Sequence, residues 1–196
     1  MTISTATAYR SYWRQLWVNR IDESPEYAAG RQTYSDADTA AAVADAVAAL
    51  NLNRDDSLLD VGCCKGLIGN FLRQHVARYV GVDYIAGFRP AVVGDAVALP
   101  FRDGSFDKVM LAGVLCCMPP SENAAVLREM RRVVRPGGRG FVSCNPFTFV
   151  HHLATIYRRG ELMDLARQCG WRRAWIAEIN PLLDQAQYYF DMVVAA

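Results

Sequence analysis

The apolar positions along this chain change period several times, and each change marks an element. "SLLDVG" at 57–62 is a short apolar run closed by glycine, the pattern of a strand buried on both faces. "GLIGNFLRQHV" at 66–76 carries helical spacing, and "RYVGVD" at 78–83 reads as a second strand. "PAVVGD" at 90–95 is a short third strand and "FDKVMLAGVL" at 106–115 a fourth. "SENAAVLREMRRVV" at 121–134 is a helix, which Pro136, Gly137 and Gly138 are expected to stop. "GRGFVSCN" at 138–145 makes a fifth strand, "ELMDLARQCG" at 161–170 a helix, and "WRRAWIAEI" and "AQYYFDMVVAA" a closing pair of strands. Strand, helix, strand repetition predicts an α/β chain with a mostly parallel sheet covered on both faces. The last two strands lie close enough to pair as a hairpin, so that edge is expected to be antiparallel.

Ahead of this series, Tyr9, Tyr12, Trp13, Trp17, Tyr27 and Tyr34 crowd into one segment, and Tyr9, Trp13 and Trp17 fall on one helical face. A helix packed on the body is the favoured reading, since aromatic stripes are mostly core; a lid over a pocket is the other. Ser35 to Asp38 reads as a capping box before the helix "TAAAVADAVAAL". The chain therefore divides into an N-terminal helical and aromatic segment, 1–50, and a main domain, 51–196.

Composition adds limits. The 196 residues fit one domain, and 52% apolar residues give a sizeable core. A formal net charge of +1 offers no pull on a polyanion, so no nucleic-acid partner is expected. The first 20 residues lack a signal-peptide core, and the longest apolar run, Val109 to Met118, is far shorter than the ~20 residues of a membrane span. A soluble, cytoplasmic protein without a membrane partner is expected. The six cysteines include the adjacent pairs Cys63–Cys64 and Cys116–Cys117, poor geometry for relaxed disulfides. With no C-x-x-C pair, no metal site is expected.

Candidate chemistry sits at the C-terminal ends of the strands, where open parallel sheets bind ligands. Strand one ends in Asp60, Gly62, Cys63, Cys64, Lys65 and Gly66. Strand two ends in Asp83 and Tyr84, strand three in Asp95 and Ala96. Asp83 follows Gly62 by 21 positions (83 − 62), the spacing at which an acid reaches ribose hydroxyls. Asp95 is placed to accept from an adenine amino group. The spacing Gly62-x-Cys64-x-Gly66 departs from the dinucleotide pattern, and three carboxylates would repel a pyrophosphate. They suit a nucleoside that carries positive charge, such as a sulfonium.

The motifs "LLDVGCCKG", "VGVD", "VVGDAVALPFRDGSFDKV" and "EMRRVVRPGGRG", in this order over roughly 57–145, resemble those of the class I S-adenosylmethionine-dependent methyltransferases. The resemblance implies a single Rossmann-like domain whose seven-stranded sheet has the order 3-2-1-4-5-7-6, with the last strand antiparallel. It implies S-adenosylmethionine as cofactor and assigns Asp60 and the loop Gly62, Cys63, Cys64, Gly66 to the methionine part. Asp83 becomes the ribose acid, Asp95 and Ala96 the adenine contacts, and the backbone near Ala112 and Gly113 the flank of the methionine end. Two departures stand out. Cys64 replaces a glycine, which is expected to be tolerated through a negative φ. Asp83 and Asp95 are only 12 apart (95 − 83), so the helix between strands two and three is expected to be shortened or missing. Tyr84 or Phe88 would then pack on the adenine ring.

The resulting expectation is methyl transfer to O, N or C of a small-molecule acceptor by direct displacement, in a pocket drawn from residues 9–34 and 145–160. A homodimer completing that pocket is a weaker expectation. His151 and His152 are the candidate general bases, though a helix with one histidine packed and one exposed is the favoured account of them. A silent cofactor-binding partner subunit is the alternative from another class. A third reading, a thiol or metalloid methyltransferase, would bring Cys63 or Cys64, Cys116 or Cys117, and Cys144 together; buried cysteines acting as small hydrophobes is the favoured account of these. Arg128, Arg131, Arg132 and Arg135 read as a solvated face.

Overall fold

A computed structural model describes residues 8, 10–12, 14, 15, 43, 44, 46–144, 158–178 and 190–196. Seven strands form one sheet in the order β3-β2-β1-β4-β5-β7-β6. They are β1 (Ser57–Val61), β2 (Arg78–Asp83), β3 (Val92–Val93), β4 (Phe106–Ala112), β5 (Val134–Cys144), β6 (Arg173–Glu178) and β7 (Phe190–Ala195). The pairs among β1 to β5 are parallel, and β7 runs antiparallel to both β5 and β6. Order and directions match the sequence expectation.

Alternation along the central strands explains why they read as continuous apolar runs. Leu59, Val61, Val109, Leu111, Val142, Met192 and Val194 point into one core, and Leu58, Met110, Phe141 and Val193 into the other. Each strand thus feeds a core on each face of the sheet. The first face is covered by α2 (Asn123–Val133) and α3 (Arg159–Gln168), with Trp171 donating its indole N–H to the Leu127 carbonyl at 3.0 Å. The second is covered by α1 (Leu67–Leu72) and by the helical residues 46–50, which bury Ala46 and Leu50 beside Val43. The capping box at Ser35 to Asp38 lies outside the described residues.

Between β2 and β3 the chain makes only the three-residue 3-10 turn Ala86–Phe88, so the expected loss of a helix is real. The Pro-Gly-Gly stretch departs from expectation. The helix α2 ends at Val133, and β5 begins immediately at Val134. Pro136, Gly137 and Gly138 form a bulge inside β5. Phe106 pairs with Val134 and Lys108 with Arg139, so two steps of β4 face five of β5 (108 − 106 against 139 − 134). Gly138 is required there, because a Cβ would come within 2.5 Å of the Asp107 carbonyl oxygen. Pairing with β4 extends the strand through residues whose local preference is to interrupt.

Two of the sequence motifs meet in space. Arg132 donates to the carbonyls of Leu99 (2.9 Å) and Phe101 (2.8 Å) and to Asp103 (2.7 Å), while Glu129 accepts from the Leu99 N–H at 2.7 Å. The Leu-Pro-Phe turn after β3 is therefore clamped to α2. Arg132 is part of this clamp, not of a solvated cationic face. Among the described residues no helix is long and apolar enough to cross a membrane.

Candidate functional site

The loop after β1 is shaped by three residues with positive φ: Gly62 (75°), Cys64 (48°) and Gly66 (73°). The expectation of a negative φ at Cys64 is therefore wrong. The cause lies at the end of β2. The Cys64 N–H donates to Asp83 Oδ2 at 2.9 Å, and the N–H groups of Gly62 and Cys63 both reach the Val82 carbonyl, at 2.8 and 3.2 Å. These bonds hold the loop against β2 and impose a left-handed conformation on a residue with a Cβ. Glycine is more demanding at Gly62, where a Cβ would fall 2.3 Å from Val114 Cγ2.

Asp83 ties two loops together, since its Oδ1 also accepts from the Ile85 N–H at 2.8 Å. Burial pushes its carboxyl above the ordinary range, against the opposing effect of the N–H groups of Ile85, Cys64 and Tyr84. Asp60 is more deeply buried, 3% exposed, and its Oδ2 accepts from the Tyr79 hydroxyl at 2.5 Å. Burial pushes Asp60 up to about 6; the Tyr79 hydrogen bond opposes this and the charge of Asp83 adds to it. The Cys63 thiol is pushed up to about 12, by burial first and then by Asp60 and Asp83. Burial drives Cys64 in the same direction. Burial and the neighbouring carboxylates thus favour the protonated thiol at both positions. The side chains of Cys116 and Cys144 lie outside the described residues.

Asp95 meets an unexpected partner. Its Oδ1 accepts from the Val97 N–H at 3.1 Å, and its two oxygens also receive the guanidinium of Arg10, at 2.5 and 3.3 Å. Arg10 simultaneously engages Glu122 Oε2, at 2.9 and 2.6 Å. Arg10 thus reaches Asp95, the predicted adenine contact. Tyr84 is 47% exposed, with Arg10 and Arg14 each 5.8 Å from its ring centroid. Phe88 is buried in the interior, so of the two candidate rings only Tyr84 faces outward. Ala96 packs beside the first core. Ala112 ends β4, and a Cβ on Gly113 would meet nothing within 4 Å, which leaves that strand end open. The aromatic positions Tyr9, Trp13, Trp17, Tyr27 and Tyr34, the candidates His151 and His152, and residues 145–157 lie outside the described residues.

The structure therefore gathers Asp60, Gly62, Cys63, Cys64, Gly66 and Asp83 around one loop, with Asp95 beyond them. Sequence reasoning missed Tyr79 and Arg10. Alternation in "RYVGVD" does place Tyr79, Gly81 and Asp83 on one face and so carried a signal for the first. Arg10 is joined to its partners across 85 and 112 residues and had none.

A sheet ordered 3-2-1-4-5-7-6, with carboxylates at the ends of β1 and β2 and after β3, defines a class I, Rossmann-like methyltransferase fold. Residues 59–142 match the family described as "Methyltransferase domain". A demethylmenaquinone methyltransferase of Mycolicibacterium vanbaalenii is 37% identical over 119 residues, 56% of this chain and 51% of that protein. The chain thus spans about half the length of the curated relatives it matches. Among solved structures, the 1,6-didemethyltoxoflavin-N1-methyltransferase of Burkholderia thailandensis, with bound 1,6-didemethyltoxoflavin and S-adenosylhomocysteine, superimposes with a TM-score of 0.69. It is 20% identical, over 100% of this chain and 91% of that one. The [4+2]-cyclase SpnF has the same fold at a TM-score of 0.66 and 19% identity, covering 90% of this chain and 78% of that one.

Proposed function

We propose that this chain is a methyltransferase that uses S-adenosylmethionine to methylate a small-molecule acceptor on O, N or C. One observation carries the reading. Asp60 and Asp83, both buried, converge on a backbone loop, and no Lys or Arg pairs with either among the described residues. Buried carboxylates without a counter-ion favour a cationic ligand. When bound, the cofactor supplies a methyl group already activated on sulfonium sulfur. The chain's own part is to bind and orient. Asp83 would take the ribose hydroxyls, Asp60 the methionine ammonium, and the Gly62–Gly66 backbone would approach the ligand closely. Asp95 would accept from the adenine amino group, sharing its oxygens with Arg10 or displacing it. In direct displacement the methyl–sulfur bond breaks with its electron pair going to sulfur, the acceptor atom bonds the methyl group and its proton passes to water; much of the rate comes from such positioning.

The relatives named for demethylmenaquinone and didemethyltoxoflavin support a planar ring compound as acceptor. The test is calorimetry with S-adenosylhomocysteine, followed by turnover of S-adenosylmethionine against a panel of planar phenols, quinols and heterocycles. Absence of cofactor binding would overturn the reading. A second reading, a silent cofactor-binding subunit, draws on the Arg10 guanidinium seated on Asp95, where the adenine amino group would go. Binding without turnover of any acceptor would favour it. The shared fold of a cyclase is a reminder that the scaffold alone does not fix the chemistry.

A further inference from the structure

The packing beneath the β1 loop is built around one phenol. In the parallel register Leu58 pairs with Tyr79 and Asp60 with Gly81, so Asp60 and Tyr79 project from the same face of the sheet. Gly81 leaves an empty position between them. A Cβ there would lie 2.7 Å from Cys63 Sγ and 3.4 Å from Tyr79 Oη, so the thiol and the hydroxyl fill its space. Above the ring, α1 contributes Gly69, where a Cβ would lie 2.1 Å from Tyr79 Oη and 2.3 Å from Cζ. Two glycines, one in a strand and one in a helix, thus clear the path by which the phenol reaches Asp60.

The groups facing Asp60 are few. Asp83 at the end of β2 repels it, Cys63 from the loop is a neutral thiol, and Met110 is its neighbour on β4. Arg73 stacks on the phenol itself, 4.5 Å from the Tyr79 ring centroid. The Tyr79 hydroxyl is the side-chain donor Asp60 has among the described residues.

We propose that Tyr79 is a positioning residue: its hydroxyl fixes the Asp60 carboxylate in the orientation and charge state that receive the ammonium group of the cofactor, within the clearances left by Gly69 and Gly81. The proposal rests on the reading of Asp60 as the methionine-end acceptor. A hydroxyl donating to a carboxylate favours its ionised form, against burial and the repulsion of Asp83. Phenylalanine at this position would keep the packing and lose only that bond.

The test uses the full chain with Tyr79→Phe and Asp60→Asn, titrated with S-adenosylhomocysteine, which retains the ammonium, across pH 5.5 to 8.5. In the wild type, affinity should fall on the acid side as Asp60 is protonated. In Tyr79→Phe the affinity at neutral pH should drop about tenfold and the acid limb should move up by about one pH unit, the scale of one hydrogen bond to a charge. Asp60→Asn should lose both the affinity and the limb. Wild-type affinity with an unmoved limb in Tyr79→Phe, or undiminished binding by Asp60→Asn, overturns the proposal. A carboxyl-carbon NMR titration of Asp60 without ligand separates this from failure of the cofactor reading. If even the wild type does not bind, an Asp60 titration that moves up in Tyr79→Phe still supports the hydroxyl's hold on Asp60, and one that stays put overturns it. Should Tyr79→Phe fold poorly, Gly69→Ala displaces the same hydroxyl with the tyrosine retained and should shift the limb in the same direction.

Discussion

Gly69→Ala turns an ordinarily favourable change into an unfavourable one. Within a helix, replacing glycine by alanine is worth up to about 1 kcal/mol. Here the new methyl would sit 2.1 Å from Tyr79 Oη, 2.3 Å from Cζ and 2.9 Å from Cε1. The ring has to leave, and with it the 2.5 Å bond to Asp60. Overpacking of this kind costs about 1–3 kcal/mol, and a hydrogen bond to a charged group is worth about 1.5–3 kcal/mol. The two are partly one event, since the ring's departure relieves the overlap. Net of the helix gain, Gly69→Ala should destabilise by about 2 kcal/mol, or roughly 4–8 °C in Tm for a chain of this size. The assay is thermal unfolding of four proteins: wild type, Gly69→Ala, Tyr79→Ala and the double variant. With Tyr79 truncated the overlap is gone, and Gly69→Ala should then stabilise by a few tenths to about 1 kcal/mol. The sign should reverse between the two backgrounds. A Gly69→Ala that raises Tm in the wild-type background refutes the packing argument.

Other residues give sharp expectations. Asp60 has a folded value of about 6 against an ordinary 3.8. The folded chain therefore holds an extra proton between those pH values, and stability from this group is present below about 4 and lost as pH rises through 6. Asp60→Asn should abolish that loss and raise stability at pH 7 by on the order of 2 kcal/mol, while leaving it little changed at pH 4; equal Tm differences at both pH values would speak against a buried charge. Arg132→Ala should cost about 2 kcal/mol and speed amide exchange across residues 99–104, because the Leu99 and Phe101 carbonyls and Glu129 lose a charged partner; unchanged exchange there would rule out the clamp. Cys64→Gly relieves a left-handed residue by ~1 kcal/mol and adds a similar entropy to the unfolded chain, so stability should move little and cofactor affinity should hold. Lost binding in a folded Cys64→Gly would assign the thiol a role.

The sheet was legible because its signal is local. Runs such as "SLLDVG" and "RYVGVD" carry their own apolar pattern, and carboxylates at strand ends follow from where strands stop. Features decided by contact between distant segments were not. Pro136 to Gly138 look like a helix stop, and only pairing with β4 makes them a bulge in a strand. Cys64 gives no hint of its φ, because the acceptor that sets it is Asp83 on the neighbouring strand. Arg132 resembles any cation near a helix end until the Leu99–Phe101 carbonyls are seen beside it. Tyr79 lay between these cases. Its face was readable, whereas the two glycines that admit its hydroxyl become meaningful only once α1 is laid across β2.

The pair of buried carboxylates also bears on how long each molecule survives. Burying Asp60 and Asp83 carries a cost to the fold, and a ligand that binds only the folded chain offsets it. On the proposed function, free cofactor at a hundred times its Kd adds about 2.7 kcal/mol of stability, enough to lower the unfolded fraction about a hundredfold. Quality control in a cell samples that fraction. A cell short of S-adenosylmethionine would then lose the protein itself to proteolysis as well as its activity, and abundance would follow the supply of the methyl donor without any dedicated regulator.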